Sequence, residues 1–215
     1  TLEAYPLLVL RRSPIATRPP ANYERIREGT YYDVWQRIPG SAPIPDDVVL
    51  DVPYAVPDDQ ACAAIYDLAS TDTDGRRLVG SVRPSVTISP LGTGPLPDGW
   101  TPTQDGMGVT PSGPGALSME VEITEPGEFE IWLAGSYPGR LTATVDGAPL
   151  RTGASVIEPD TDHVNSLGTV TLGAGAHEIV VSYDTPWWAP GTDAGPFPFG
   201  PLYLTTVPSD GALVE

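Results

Sequence analysis

"FEIWLAGSYPGRLTATVDG", Phe129 to Gly147, holds the pattern on which the fold turns. Alternation places Phe129, Ile131 and Leu133 on one face of a strand, which leaves Glu130 and Trp132 on the other. A second run then sends Leu141, Ala143 and Val145 inward and closes at Asp146-Gly147, a dipeptide suited to a two-residue hairpin turn. The same period of two recurs upstream in "ALSMEVEI", where Leu117, Met119, Val121 and Ile123 face in and Ser118, Glu120 and Glu122 face out. Downstream, "LGTVTLGAGAHEIVVSY" supplies two more strands around "GAGA", and "PLYLTTV" supplies a last one. Six or more antiparallel strands at this spacing predict a jelly-roll β-sandwich. A tryptophan on the outward face of such a strand must be covered or must serve as a platform. The first choice is that the N-terminal segment packs over Trp132; the second is that the indole stacks on a sugar ring.

Composition agrees with short strands joined by many turns. The chain has 26 prolines and 23 glycines in 215 residues, yet its 40% hydrophobic content is too high for a disordered polymer. The formal charge is -17, and all 11 basic residues are arginine. Phosphate binding needs a basic surface, so nucleic acid is excluded as a partner, and the same charge argues against an anionic membrane surface. A single cysteine rules out an internal disulfide, and Cys62, inside the apolar helical pattern "DDQACAAIYDLA", reads as a buried structural thiol. No apolar run reaches the roughly 18 residues of a membrane span, and no signal peptide precedes Thr1. A chain that opens on Thr1 reads as a mature or excised piece of something longer.

The class is mainly β: a jelly-roll sandwich over 76–215, with a smaller mixed α/β segment, 1–75, packed against it. In the first segment "YPLLVLRR" is a short buried-strand pattern and "YERIREGTYYDVWQR" a hairpin around Glu28-Gly29. "PDDQACAAIYDLAS" opens with acids after Pro57 and keeps apolar residues at helical spacing, which predicts the one helix.

This pattern singles out no catalytic machinery, and although acids separated in sequence can meet in space as a glycosidase pair, nothing marks such a pair. Only His163 and His177 exist and no G-x-S-x-G elbow occurs, so no nucleophile has a positioned base. His177 alternates with Ile179, Val181 and Tyr183 and reads as a packed or edge histidine. "EPDTDH", Glu158 to His163, clusters three carboxylates with an imidazole. A divalent cation such as calcium is the ion such a loop would take, but one short loop lacks the spaced ligands of a firm site. No catalytic residue, metal ligand or cofactor is therefore assigned.

An aromatic constellation remains. "YDTPWWAPGTDAGPFPFGP" sets Tyr183, Trp187, Trp188 and Phe197 among Asp184 and Asp193 in a glycine- and proline-rich loop. Aromatic faces stack on the apolar faces of sugar rings while carboxylates accept their hydroxyl hydrogen bonds, so these six residues, with Trp132, form the candidate glycan site. The other reading is a minicore that pins the loop down or docks it on another part of a larger protein.

"FEIWLAGSYPGRLTATVDGAPL", "VNSLGTVTLGAGAHEIVVSY", "APGTD" and "FGPLYLTTV" resemble the jelly-roll region at the C-terminal, extracytoplasmic end of bacterial multi-spanning glycosyltransferase-like membrane proteins. "YPLLVLRRSPIATRPPANYERIREGTYYDVWQR" is similar to the segment that follows the last membrane span of those proteins. The sandwich also resembles carbohydrate-binding modules in its "VDG" hairpin and "LGAGAHEIVVSY" strand pair. The resemblance implies an extracytoplasmic domain tethered to the bacterial cell membrane in the full-length protein. Its partners would be a cell-envelope polysaccharide or lipid-linked glycan and its own missing membrane portion. The transferase's membrane spans and acidic catalytic loop have no counterpart here, so the fragment is expected to be non-enzymatic.

Overall fold

The computed structural model describes residues 4–14, 18–42, 59–70, 80–82, 85–88, 91, 94–104, 106–135, 140–150, 164–184, 198–207 and 212–214. In chain order the elements are β1 Leu7–Arg11, β2 Tyr23–Glu28, β3 Tyr32–Arg37, α1 Asp59–Ser70, β4 Gly80–Val82, β5 Ser85–Ile88, β6 Thr101–Pro102 and β7 Val109–Thr110. They continue with β8 Gly115–Ile123, β9 Gly127–Gly135, β10 Arg140–Val145, β11 Ala148–Pro149, β12 Val164–Leu172, β13 Gly175–Asp184, β14 Phe199–Thr206 and β15 Ala212–Val214. The chain divides into two compact units, Thr1–Arg83 with Asp210–Glu215, and Pro84–Ser209.

The second unit is the expected jelly-roll sandwich. One sheet runs β11-β10-β13-β8 and the other β12-β9-β14-β7-β6, with β5 also paired to β14. Successive long strands change sheets: β8 to β9, β9 to β10, β12 to β13 and β13 to β14 each cross the core. The "LGAGAHEIVVSY" strand pair is thus split between the two sheets. Pairing throughout is antiparallel. The period-two reading of β8 and β10 holds, since Leu117, Met119, Val121, Ile123, Leu141, Ala143 and Val145 are all buried in one core cluster. From the facing sheet Phe129, Ile131, Leu133, Leu202 and Leu204 meet them. Burying each such side chain contributes roughly 1.5–3 kcal/mol, which makes this layer the main source of stability.

The turn at Asp146-Gly147 forms as its sequence demands. Both residues take left-handed backbone angles, φ 50° and 76°, as a type I′ turn requires. The Asp146 carboxylate then does further work. One oxygen accepts the Glu178 backbone N–H at 2.9 Å, and the other lies 2.7 Å from His177 Nδ1. His177 Nε2 faces the Gly173 carbonyl at 3.1 Å. Both ring nitrogens therefore meet acceptors, a demand met in full only by the imidazolium, which donates twice. His177 is thus a packed edge histidine, clamping the hairpin turn to the turn before β13.

In the first unit β1, β3 and β2 form a three-stranded sheet in that order, all antiparallel. The hairpin expected around Glu28-Gly29 is β2–β3. Leu8, Tyr23 and Trp35 make a small core, with the Arg18 guanidinium 5.4 Å from the Trp35 ring centroid. The Tyr23 hydroxyl donates to the Tyr5 carbonyl at 2.6 Å. Arg12 and Arg25 both reach Glu28, at 3.0 and 3.1 Å, and both lie within 4 Å of Asp33. The reading of "YPLLVLRR" as a buried strand needs correction: Leu8 is buried, but Leu7 and Val9 point to the opposite, open face. α1 forms where its spacing predicts, yet Cys62 on it is exposed, so the buried-thiol expectation is also corrected. β15 pairs antiparallel with β4, and both belong to the first unit.

The clamp has a definite pH dependence. The hydrogen bond to Asp146 and then that to Gly173 raise the His177 pKa above its ordinary 6.5, with the charge of Glu122 adding to the effect. The hydrogen bond from His177 lowers Asp146 below 3.8. A raised histidine pKa stabilises the fold fully below 6.5 and loses that contribution as pH rises through the folded value; the lowered Asp146 pKa loses its contribution as pH falls below 3.8. The melting temperature of the wild type should therefore fall on going from pH 6 to pH 9 more steeply than that of His177→Gln. Equal slopes would show that the clamp carries no proton linkage.

Candidate functional site

Strand register sets the two ends of the sandwich apart. Gly115 stands opposite Tyr183, Arg140 opposite Asp184, Phe199 opposite Gly135 and Val164 opposite Ala134. The residues flanking segments 136–139 and 185–197, and the one following 151–163, are therefore gathered at one end. The opposite end carries the Asp146-Gly147 and Gly173 turns.

The floor at the loop end is built from Trp100 and Tyr183. Trp100 is 5% exposed and its indole N–H donates to the Gly113 carbonyl at 3.0 Å. Its ring meets that of Tyr183 edge-to-face, with centroids 6.3 Å apart and planes at 73°, a geometry that aligns the positive edge of one ring with the negative face of the other. A Cβ at Gly115 would lie 2.8 Å from Pro97 and 2.9 Å from Trp100, so glycine is what lets the indole close against the start of β8. Burial pushes the Tyr183 phenol pKa up, and the negative Asp184 beside it adds to the rise.

The structure describes three of the expected site residues, Tyr183, Asp184 and Trp132. Tyr183 is not a free stacking face; it belongs to the sandwich core, because its parity in β13 matches Ile179 and Val181. Trp132 lies on the outer face of its sheet as alternation requires, but it is 3% exposed and so is no open platform. Its indole N–H donates to the Thr205 hydroxyl at 3.1 Å. Tyr203, its register partner on β14, is buried on the same face, as is Glu130, whose carboxylate accepts the Ser166 hydroxyl at 2.7 Å. Asp184 is exposed at the end of β13. Trp187, Trp188, Asp193 and Phe197 lie outside the described residues, as does the "EPDTDH" cluster. Among the described residues, no group of three or more His, Cys, Asp or Glu is placed to hold a metal ion.

Sequence reading missed Trp100 and Gly115. Trp100 follows an Asp-Gly pair in a stretch without periodicity, so only its size hinted at burial.

No family model and no curated protein matches the sequence. Three solved structures show what the chain is similar to. The GH26-CBM35 β-(1,4)-mannanase of Podospora anserina matches at 16% identity, covering 57% of this chain and 27% of that one, with a TM-score of 0.42. The CBM36-1 domain of a multidomain xylanase from the hindgut metagenome of Trinervitermes trinervoides matches at 9% identity, covering 56% and 96%, with a TM-score of 0.38. The carbohydrate-binding module CBM6cm-2 of Cellvibrio mixtus lichenase 5A, in complex with cellotriose, matches at 19% identity, covering 57% and 97%, with a TM-score of 0.37. This chain thus spans well under a third of the mannanase's length and nearly all of the two modules.

Trp132→Phe removes the bond to Thr205 and leaves a buried hydroxyl to find another partner. It should lower stability by about 1 kcal/mol, read as a lower denaturant midpoint at unchanged slope. A midpoint equal to wild type would show that the bond contributes nothing.

Proposed function

We propose that this chain is a non-catalytic glycan-binding domain, the extracytoplasmic part of a membrane glycosyltransferase-like protein, which holds a cell-envelope polysaccharide or lipid-linked glycan near that protein's membrane portion. The observation that carries this reading is that Asp184 and Phe199, the ends of β13 and β14 on either side of segment 185–197, stand at the loop end of the sandwich, where Trp100 meets Tyr183. That segment holds Trp187, Trp188, Asp193 and Phe197. Indole faces stack on the axial C–H groups of sugars, and carboxylates accept their hydroxyls, so the residue types suit a neutral saccharide. The membrane context rests on the sequence resemblance alone. Each stacking contact is worth on the order of 1 kcal/mol beyond area burial, so affinity for a short oligosaccharide should be about millimolar.

The test is tryptophan emission titrated with arabinan, galactan and mannan fragments. Three of the five tryptophans, Trp35, Trp100 and Trp132, are buried, and the variants below ask whether Trp187 and Trp188 are the reporters. A saturable change that disappears in both Trp187→Ala and Trp188→Ala, at unchanged melting temperature, is expected. A flat response across the panel would assign the aromatics to docking on the membrane portion, to be sought by pull-down.

A further inference from the structure

We propose that Asp98-Gly99 is a site of spontaneous isoaspartate formation next to the Trp100 floor, and that the His177 clamp shields Asp146-Gly147 from the same reaction. Asp-Gly is the dipeptide in which this chemistry runs most readily, because a glycine amide is the least hindered nucleophile a backbone offers. The glycine nitrogen attacks the aspartate Cγ, a C–N bond forms, and the carboxyl hydroxyl leaves with the amide proton as water. Water then reopens the succinimide ring at either carbonyl. Opening at the carbonyl attached to Cα routes the main chain through Cβ and Cγ, which inserts one atom into the backbone; opening at the other restores aspartate. Nothing is oxidised and the water is returned, so the reaction needs no co-reactant.

Five Asp-Gly pairs occur in the sequence, and for two of them both residues are described. Their surroundings differ. At Asp146 each carboxylate oxygen has a donor, the Glu178 N–H at 2.9 Å and His177 Nδ1 at 2.7 Å. Both bonds must open before Cγ can swing to the Gly147 nitrogen. The hydrogen bond from His177 also holds the Asp146 carboxyl below its ordinary 3.8, so it stays ionised and its oxygen is a poor leaving group. Asp98, by contrast, is exposed, and among the described residues nothing bonds its carboxylate. Asp98 and Gly99 are the centre of a turn closed by the Trp100 N–H, which donates to the Pro97 carbonyl at 3.0 Å. Glycine is imposed there, since its φ is 80°, as the third position of a type II turn requires, and a Cβ would collide with the Ser112 hydroxyl. The fold thus demands the vulnerable dipeptide at both turns and guards only one of the two carboxylates. An extra backbone atom between Pro97 and Trp100 disrupts the turn that seats the indole against Tyr183.

The inference is independent of the glycan reading, because it is measured without saccharide. The whole 215-residue chain is aged at neutral pH, natively and in denaturant, then digested, and isoaspartate is located by the diagnostic backbone cleavage it gives in electron-transfer fragmentation. In denaturant Asp98 and Asp146 should isomerise at similar rates. In the native chain Asp98 should isomerise at least about tenfold faster than Asp146, whose two charge-assisted bonds must open first. His177→Ala should speed the reaction at Asp146 and leave Asp98 unchanged, with circular dichroism checking that the variant is folded; the wild-type comparison stands without it. A second Trp100 indole signal should grow with the isoaspartate fraction of the wild type and be missing in Asp98→Glu, whose longer side chain closes the ring far more slowly. Equal native rates at the two sites, no native isoaspartate at Asp98 while the denatured chain forms it, or a folded His177→Ala with Asp146 as slow as in wild type would overturn the proposal. So would a Trp100 signal that stays single as isoaspartate accumulates at Asp98.

Discussion

The central strand β9 is buried on both sides, and that constraint shapes the rest of the sandwich. Its odd residues Phe129, Ile131 and Leu133 enter the core between the sheets, and its even residues Glu130, Trp132 and Ala134 are buried on the outer face. A strand enclosed twice has no solvent to satisfy its polar groups, so each needs a partner in the neighbouring strands. β12 supplies Ser166 to Glu130, and β14 supplies Thr205 to Trp132. These partners face β9 only in one register, and a slip by one residue would exchange the two faces. The polar pairs of the outer face and the apolar layer of the core thus specify the same alignment.

With the broad faces of β9 closed, the proposed site falls to the ends of the sandwich. At one end the Asp146-Gly147 turn and the turn before β13 are short and tied together through His177. At the other, an aromatic floor closes over Gly115, and the strands deliver the longer connections. In β-sandwiches generally, loops gathered at one end can carry recognition without altering the core.

Much of this was legible in the sequence, for a physical reason. β8 and β10 bury one face only, so their period of two is clean, and the Asp146-Gly147 turn announces itself by the backbone angles it needs. Where burial departs from one face, reading fails. Alternation puts Trp132 on the outer face and so demands a cover for it, but it reports parity and not what covers each side. Leu7, Leu8, Val9 and Leu10 looked like a buried strand because an apolar run hides which parity faces the core. β5 and β7 pair with β14 across most of the second unit, and no local pattern foretells such contacts. In the candidate site, Tyr183 is grouped with the aromatic loop by sequence proximity but with the core by strand parity. Parity prevails, since Tyr183 continues the inward series of Ile179 and Val181.

The proposed function requires saccharide to contact the loop end and not the sheet faces. Proton–nitrogen correlation spectra resolve the indole N–H signals of all five tryptophans in one titration. With envelope-type oligosaccharide added, the account predicts that the Trp187 and Trp188 indole signals move progressively while those of Trp35, Trp100 and Trp132 stay in place. Movement of Trp132 with the loop signals unmoved, or five stationary signals at saturating saccharide, would contradict it.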